Sequence, residues 1–242
     1  MQTKIEKCVR CNSELYGQFC SNCGHSQVIK RINREYILSE IGSVLNFDKG
    51  ILYTIKELLV RPGLNIQKFI LEDRNRLVKP IIFVIITSLI YTIAQQWLNF
   101  EDGYVNYSDS KDTAILTIFE WVQQNYGYAN ILMAIFIALW IKLFFRKYNF
   151  NFFEILILLC FVMGIGMLIY TIFGIIESLT EFKVLQIGGL LGFVYVSWAI
   201  GRFFDKKKKI NYLKGFLSYI LGMLTFTLAA IALGTTIDFL IN

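Results

Sequence analysis

Four cysteines near the start of the chain have the residue type and the spacing of a metal site. Cys8, Cys11, Cys20 and Cys23 follow the pattern C-x2-C-x8-C-x2-C. Each CxxC pair places two thiolates on one tight turn, and two such turns make the tetrahedral sulfur cage that Zn(II) prefers. Because four thiolates leave no position for water, the pattern predicts a structural zinc rather than a catalytic one.

Two alternatives to zinc remain at this cluster: another thiolate-bound metal, or a degenerate site that holds none. Residues 1–28, which we call the ribbon, are too few to build a hydrophobic core of their own. We therefore expect metal binding to supply most of the free energy that folds them.

The remainder of the chain carries no comparable catalytic set. Its single histidine, His25, lies beside the cysteines, so histidine-assisted nucleophiles are excluded from the rest of the sequence. Glu154 and Glu177 flank one apolar stretch from opposite sides, roughly 34 Å apart at helical rise, and cannot share one active site. We expect a protein that is not an enzyme, although an enzyme using acids at such boundaries is the alternative.

The composition predicts a membrane protein, since 55% of the residues are hydrophobic and only 17% are charged. Five apolar stretches are long enough to cross about 30 Å of hydrocarbon as helices. We therefore predict an all-α membrane protein with about five transmembrane helices. The predicted spans are residues 80–100, 121–141, 155–176, 184–201 and 210–237.

The chain divides into three predicted domains: the ribbon at 1–28, a basic amphipathic connector at 29–79 and a transmembrane helical bundle at 80–242. Within the connector we predict helices at 31–45, 49–60 and 64–74. In the second of these, Ile51, Ile55, Leu58 and Leu59 recur at helical spacing and predict one apolar stripe.

The distribution of basic residues predicts the orientation in the membrane. With the N-terminus inside, 22 of the 24 Lys and Arg residues lie on the inner side of the five predicted spans. We therefore expect a cytoplasmic N-terminus and a C-terminus outside. In a reducing cytoplasm, paired CxxC turns hold metal more often than they form disulfides.

The same charges indicate which partners to expect. Basic residues of the connector and the run Lys206–Lys209 predict contact with the anionic lipid of the inner leaflet. Nucleic acid is not expected, because aromatic stacking platforms are not interleaved with these cations. Gly188 and Gly192 form a GxxxG pair, which is typical of close helix packing, either within one subunit or in a homo-oligomer.

One stretch of the connector resembles a known family. The sequence from Leu59 to Pro80, LVRPGLNIQKFILEDRNRLVKP, runs into the first predicted span and follows a paired-CxxC ribbon. This combination is similar to an uncharacterised bacterial family that joins an N-terminal zinc ribbon to several inner-membrane helices. The resemblance implies a multipass protein of the bacterial inner membrane, and it implies no activity.

These observations lead to two functional hypotheses. The first is a docking, scaffold or regulatory protein whose cytoplasmic zinc ribbon binds a protein partner. The second is an oligomeric channel or transporter subunit, assembled through Gly188 and Gly192. Its polar path would be lined by residues drawn from Gln95, Gln96, Thr225 and Thr227.

Overall fold

The computed structural model describes residues 7–8, 11–14, 20–23, 50–98, 100, 113–180 and 182–241. Its contacts divide the chain into two compact units, Met1–Leu45 and Asn46–Asn242. All of the described helices belong to the second unit. The connector helix predicted at residues 31–45 lies outside the described residues.

The described part of the second unit contains eight helices and no strand. Pro62 and Pro80 each stand at a helix start, where a missing N–H costs no hydrogen bond. The helices are α1 (Ile51–Val60), α2 (Pro62–Leu71), α3 (Pro80–Leu98), α4 (Ala114–Gln124), α5 (Tyr126–Phe144), α6 (Phe152–Thr180), α7 (Leu185–Asp205) and α8 (Ile210–Ile241).

Four of these helices, α3, α6, α7 and α8, are long and apolar enough to cross a membrane. The pair α4 and α5 makes a fifth crossing if the two are counted as one bent span. The prediction of an all-α membrane protein with about five transmembrane helices is confirmed to that extent. Helices α6 and α8, with 29 and 32 residues, extend beyond their predicted apolar stretches: α6 continues through Glu154 at its start and Glu177 at its end, and α8 continues through Asp238.

A bend divides the region of the second predicted span, residues 121–141. Helices α4 and α5 meet at 103°, and Asn125 both ends α4 and begins α5. Its backbone N–H and its side-chain amide donate to the Trp121 carbonyl at 2.9 and 3.0 Å. A hydropathy window misses this bend because it averages Gln123, Gln124 and Asn125 with the apolar residues further along on both sides.

Helix α6 lies at the centre of the bundle and packs against α3, α5 and α7. Leu158, Leu159, Phe161 and Val162 on consecutive turns are fully buried. At 29 residues and 1.5 Å per residue, α6 is about 43 Å long, which is enough to cross the whole thickness of a hydrocarbon core.

Helices α1 and α2 pack into this bundle. The Tyr195 hydroxyl of α7 donates to the Leu58 carbonyl of α1 at 3.0 Å. Phe69 of α2 meets Phe161 of α6 edge-on, with ring centroids 5.3 Å apart. The apolar stripe predicted for α1 is partly wrong: Leu59 is 46% exposed, whereas Thr54 is fully buried beside Leu58.

Gly188 and Gly192 pack against α6 of the same chain. A Cβ at Gly188 would overlap the Phe173 side chain, and one at Gly192 would lie 3.4 Å from the Gly166 carbonyl oxygen. These contacts favour close packing within one subunit, which was one of the two interpretations of the GxxxG pair. A homo-oligomer through the same face stays a prediction.

The two ends of the bundle carry opposite charges. At one end Lys142 donates to the Phe150 carbonyl at 2.6 Å and Lys214 to the Phe144 carbonyl at 3.2 Å. Helix α2, the start of α3 and the end of α7 belong to this basic end. Among the described Lys and Arg residues that follow α1, Lys183 alone lies at the other, acidic end, with Glu120, Glu177 and Asp238.

Candidate metal centre

The four predicted cysteine ligands lie together. The Sγ atoms of Cys8 and Cys23 are 3.6 Å apart, those of Cys11 and Cys20 are 3.5 Å apart, and all four lie within 4.8 Å of one another. Cys8 and Cys20 are buried, and Cys11 and Cys23 are half-buried. The fold therefore brings together the sulfur atoms of cysteines that are up to 15 positions apart in the sequence.

Backbone hydrogen bonds shape the first turn of the cluster. The Cys8 N–H donates to the Ser13 carbonyl and the Asn12 N–H donates to the Cys8 carbonyl, both at 2.9 Å. Lys7 and Glu14 form an antiparallel bridge that closes this turn. Asn12 has a φ of 61°, a left-handed conformation that asparagine adopts more readily than most residues.

Ser13 stabilises one thiolate of the cluster. Its hydroxyl lies 3.2 Å from the Cys11 sulfur, and the Asn22 side-chain amide donates to the Ser13 oxygen at 2.9 Å. Hydrogen bonds from Ser13, first through its side chain and then through its backbone, lower the pKa of Cys11 to about 6. Cys11 is therefore ionised at neutral pH, as a metal ligand must be.

The geometry fits a tetrahedral thiolate site. With a Zn–S bond of about 2.3 Å, the edges of a regular tetrahedron of sulfur atoms are about 3.8 Å long, close to the two measured distances. A disulfide would need about 2.05 Å, and no disulfide joins any of the five cysteines. The fifth, Cys160, lies in α6 and belongs to the other unit.

Glu154 and Glu177, the acids that the sequence offered for catalysis, accept hydrogen bonds at the starts of helices, and so does Asp238. Glu154 and Asn151 form a reciprocal pair at the start of α6: the Asn151 N–H donates to Glu154 at 2.7 Å and the Glu154 N–H donates to Asn151 at 2.9 Å. Glu177 accepts from the Leu185 N–H at the start of α7, at 2.6 Å. Asp238 accepts from the Ala114 N–H at the start of α4, at 2.8 Å.

The residues named for a polar path lie in two helices, with Gln95 and Gln96 in α3 and Thr225 and Thr227 in α8. Gln95 is half-buried, whereas Gln96 and Thr227 are exposed. The Thr225 hydroxyl donates to the Leu221 carbonyl one turn earlier in its own helix, at 2.8 Å. Such a bond satisfies the hydroxyl within the helix and leaves it less available to a solute.

A cavity of about 290 Å³ lies within the bundle, in a place the sequence did not indicate. Its walls are mostly apolar, and Gly188 and Gly192 form part of them. Near it, the Asn130 amide donates to the Met167 sulfur at 2.9 Å. The polar side chains that line it come from four helices: Tyr91, Asn130, Tyr170 and Tyr219.

Sequence reasoning also missed Asn12 and Ser13, although a signal for Asn12 was present. The first CxxC pair is followed by asparagine and the second by glycine, the two residue types that most often adopt a left-handed conformation. The role of Ser13 had no such signal, because a serine near a cysteine pair is common and the direction of its hydroxyl depends on the folded turn.

No curated protein and no solved structure matches the chain. One protein family does match a part of it, over α1, α2 and the first two-thirds of α3. The matched segment includes the sequence LVRPGLNIQKFILEDRNRLVKP and does not include the four cysteines. Residues 48–92 match the model of a family described as a protein of unknown function (DUF3667).

Proposed function

We propose that this chain is a non-enzymatic integral protein of the bacterial inner membrane that docks a protein partner through a zinc ribbon. The observation that most supports this proposal is that the sulfur atoms of the four cysteines lie within 4.8 Å of one another. A complete set of four thiolates gives zinc a structural role, since it leaves no open position for substrate. A ribbon folded by metal can then present a rigid surface to a partner.

The helical unit supports a role in positioning this ribbon. It provides four to five apolar helices and a basic end. Basic residues accumulate on the cytoplasmic side of membrane proteins, so the basic end is assigned to the cytoplasm and the acidic end to the exterior. The N-terminus is then cytoplasmic, where thiolates stay reduced and bind metal.

Docking by the ribbon is tested by replacing two ligands, Cys20→Ser and Cys23→Ser, in the full chain. The matched control is Cys160→Ser, which removes a thiol from α6. Partners are crosslinked in gently solubilised membranes and identified, and zinc is measured in the same samples. We expect the double variant to lose zinc and its crosslinked partners, and the control to keep both. Unchanged partners in a zinc-free variant would exclude docking by the ribbon.

Orientation is tested separately with a membrane-impermeant maleimide on intact cells. The background is the chain with its five native cysteines replaced by serine. There Lys183→Cys places a thiol at the acidic end and Lys207→Cys places one at the basic end, and both positions are exposed. We expect labelling of the first variant alone. Labelling of the second alone would reverse the assignment of the two ends.

A channel or transporter subunit is the second candidate function, and the 290 Å³ cavity is the observation that favours it. Such a subunit would take a small, mostly apolar solute, with Asn130 as the polar contact. Reconstituted protein should then transport solute, and Asn130→Leu should reduce transport. Vesicles that show neither ion flux nor solute uptake would remove this candidate.

A further inference from the structure

A second cavity, of about 530 Å³, lies at the basic end between α2 and the end of α7. Three cations line it: Arg61 before α2, Arg202 in the last turn of α7, and Lys206 just after α7. Asp205 is the one carboxylate in its lining. The three basic residues come from two segments about 140 positions apart, so the fold and not a local charge run brings them together.

The negative charge of Asp205 is partly compensated from outside the cavity. Its carboxylate lies 3.5 Å from the Lys208 ammonium and accepts from the Lys207 N–H at 3.0 Å. Lys207 and Lys208 do not line the cavity. The cavity therefore presents an excess of positive charge to whatever enters it.

The surrounding contacts orient Arg202 and join the two walls of the cavity. The Arg202 guanidinium lies 5.0 Å from the centroid of the Trp198 ring, which orients it from one side. The Gln67 amide of α2 donates to the Phe203 carbonyl of α7 and so joins the two walls. Gly63 lets the backbones of α2 and α7 touch beside Arg61. A planar guanidinium held in this way suits the two-point binding of a phosphate group.

The depth of the cavity indicates the source of that phosphate. Arg202 is three residues from the end of the apolar helix α7, and Trp198 lies one turn deeper. Tryptophan and arginine at the end of a membrane helix are typical of the headgroup level. Leu64 and Phe204 add apolar wall beside the cations, which suits the glycerol and acyl portion of a lipid.

We propose that the cavity lined by Arg61, Arg202 and Lys206 binds the phosphate group of an anionic phospholipid. It is a defined site, in contrast to the diffuse attraction of a basic surface to a charged leaflet. The site does not depend on the cysteine cluster, so a failure of ribbon docking would leave it unchanged.

The test uses the full chain in nanodiscs of phosphatidylcholine containing phosphatidylglycerol. Native mass spectrometry after detergent release counts the phosphatidylglycerol molecules that stay bound. We expect Arg202→Gln and Lys206→Gln to lower this retention about tenfold each, since each removes a charge-assisted hydrogen bond. Asp205→Asn should raise retention, because it removes the opposing charge while keeping the oxygen that accepts from Lys207.

Lys207→Gln and Lys209→Gln are the matched controls, since they remove the same charge from the same loop outside the cavity. They should keep the retention of the wild type. Equal losses in the controls, or no retained phosphatidylglycerol in the wild type, would overturn the proposal. Lys206 is exposed, so Lys206→Gln should fold normally. It therefore tests the proposal even if Arg202→Gln lowers the yield of folded protein.

A competition arm identifies the source of the phosphate. Inorganic phosphate is added to the wild-type nanodiscs before release. Retention that persists at millimolar phosphate supports a lipid headgroup, because the acyl chains add binding energy that free phosphate lacks. Displacement of phosphatidylglycerol by inorganic phosphate would overturn the lipid assignment and give the site to a soluble phosphate compound.

Discussion

The backbone of Gly63 in α2 lies against the backbone of Arg202 in α7: a Cβ added to Gly63 would sit 2.5 Å from both the carbonyl carbon and the carbonyl oxygen of Arg202. Neither backbone can move without separating the two helices. This contact joins the segment matched by the family model to the end of a membrane helix. It explains why a residue without a side chain follows Pro62.

We therefore predict that Gly63→Ala destabilises the helical unit by about 1–3 kcal/mol, the usual cost of overpacking. The measurement is thermal unfolding of the purified chain in detergent. Gly189→Ala is the matched control, because its Cβ would meet only Tyr170, at 3.6 Å. Alanine also favours a helix over glycine, so the control should be neutral or slightly stabilising. Equal unfolding temperatures for the two variants would contradict the close contact.

A polar network inside α1 and α2 gives a second prediction. Asn65 is 2% exposed; its amide donates to the Glu57 carbonyl at 3.0 Å and its oxygen accepts from Arg76 at 3.0 Å. Asn65→Leu would remove both of these hydrogen bonds, although the Glu57 carbonyl keeps the Arg61 N–H and Arg76 keeps the Glu57 carboxylate. We expect a loss of about 1–3 kcal/mol in unfolding free energy. Asn75→Leu, on an exposed asparagine, is the control for the change of residue type.

The ion pair between Arg76 and Glu57, beside this network, should contribute less to stability than Asn65 does. Arg76 and Glu57 are 3.4 Å apart and keep 31% and 26% of their side chains exposed, and ion pairs of this kind contribute about 0–1 kcal/mol. Glu57→Gln removes the charge and keeps an acceptor, so the unfolding temperature should change little. A loss as large as that of Asn65→Leu would mean that the charge, and not the amide, holds the segment.

The same two helices illustrate where sequence reasoning succeeded and where it failed. The apolar stretches predicted the spans because twenty apolar residues in a row have few alternatives to crossing a membrane. An amphipathic helix such as α1 has two possible locations, because its apolar face can lie on lipid or on protein. Thr54 and Asn65 are polar and were not named for the apolar stripe, yet both are buried. Their hydrogen bonds satisfy them there, since the Thr54 hydroxyl donates to the Gly50 carbonyl and the Asn65 amide to the Glu57 carbonyl.

The two candidate sites also differ in whether the sequence could predict them. The cysteine cluster was predictable because its spacing is local and two CxxC pairs at this separation are typical of a metal site. The cationic cavity was not, because Arg61 and Arg202 are brought together only by the packing of α2 on α7. The reciprocal cap of α6 could have been read from the sequence, since asparagine followed three residues later by glutamate before an apolar run is a known helix start.

That cap gives a fourth prediction. Glu154→Ala removes the acceptor for the Asn151 N–H, and we expect about 1 kcal/mol of destabilisation, as for other caps. Glu154→Gln should recover most of the loss because the amide oxygen still accepts. Glu72→Ala is the control on an exposed glutamate at the end of α2. A Glu154→Gln variant with wild-type stability and a lost cellular phenotype would show that the carboxylate has a role beyond the cap.

The Cys11–Ser13 contact gives the last prediction. Ser13→Ala removes the hydrogen bond that contributes most to the lowered pKa of Cys11, so this pKa should rise from about 6 towards the ordinary value near 9. Between these two values the wild-type sulfur is mostly a thiolate, whereas the variant has a larger share of the thiol, which reacts far more slowly with alkylating reagents. The measurement is the pH dependence of Cys11 alkylation in the metal-free full chain, resolved by mass spectrometry.

The sign of the effect on metal binding follows from the protons released. Metal must displace a proton from each thiol that is not already ionised, so Ser13→Ala should weaken metal binding most below pH 9 and leave it nearly unchanged above. Ser21→Ala alters an exposed serine of the second turn and should keep the wild-type profile. An unchanged alkylation profile in Ser13→Ala would mean that the cluster, and not the serine, sets the ionisation of Cys11.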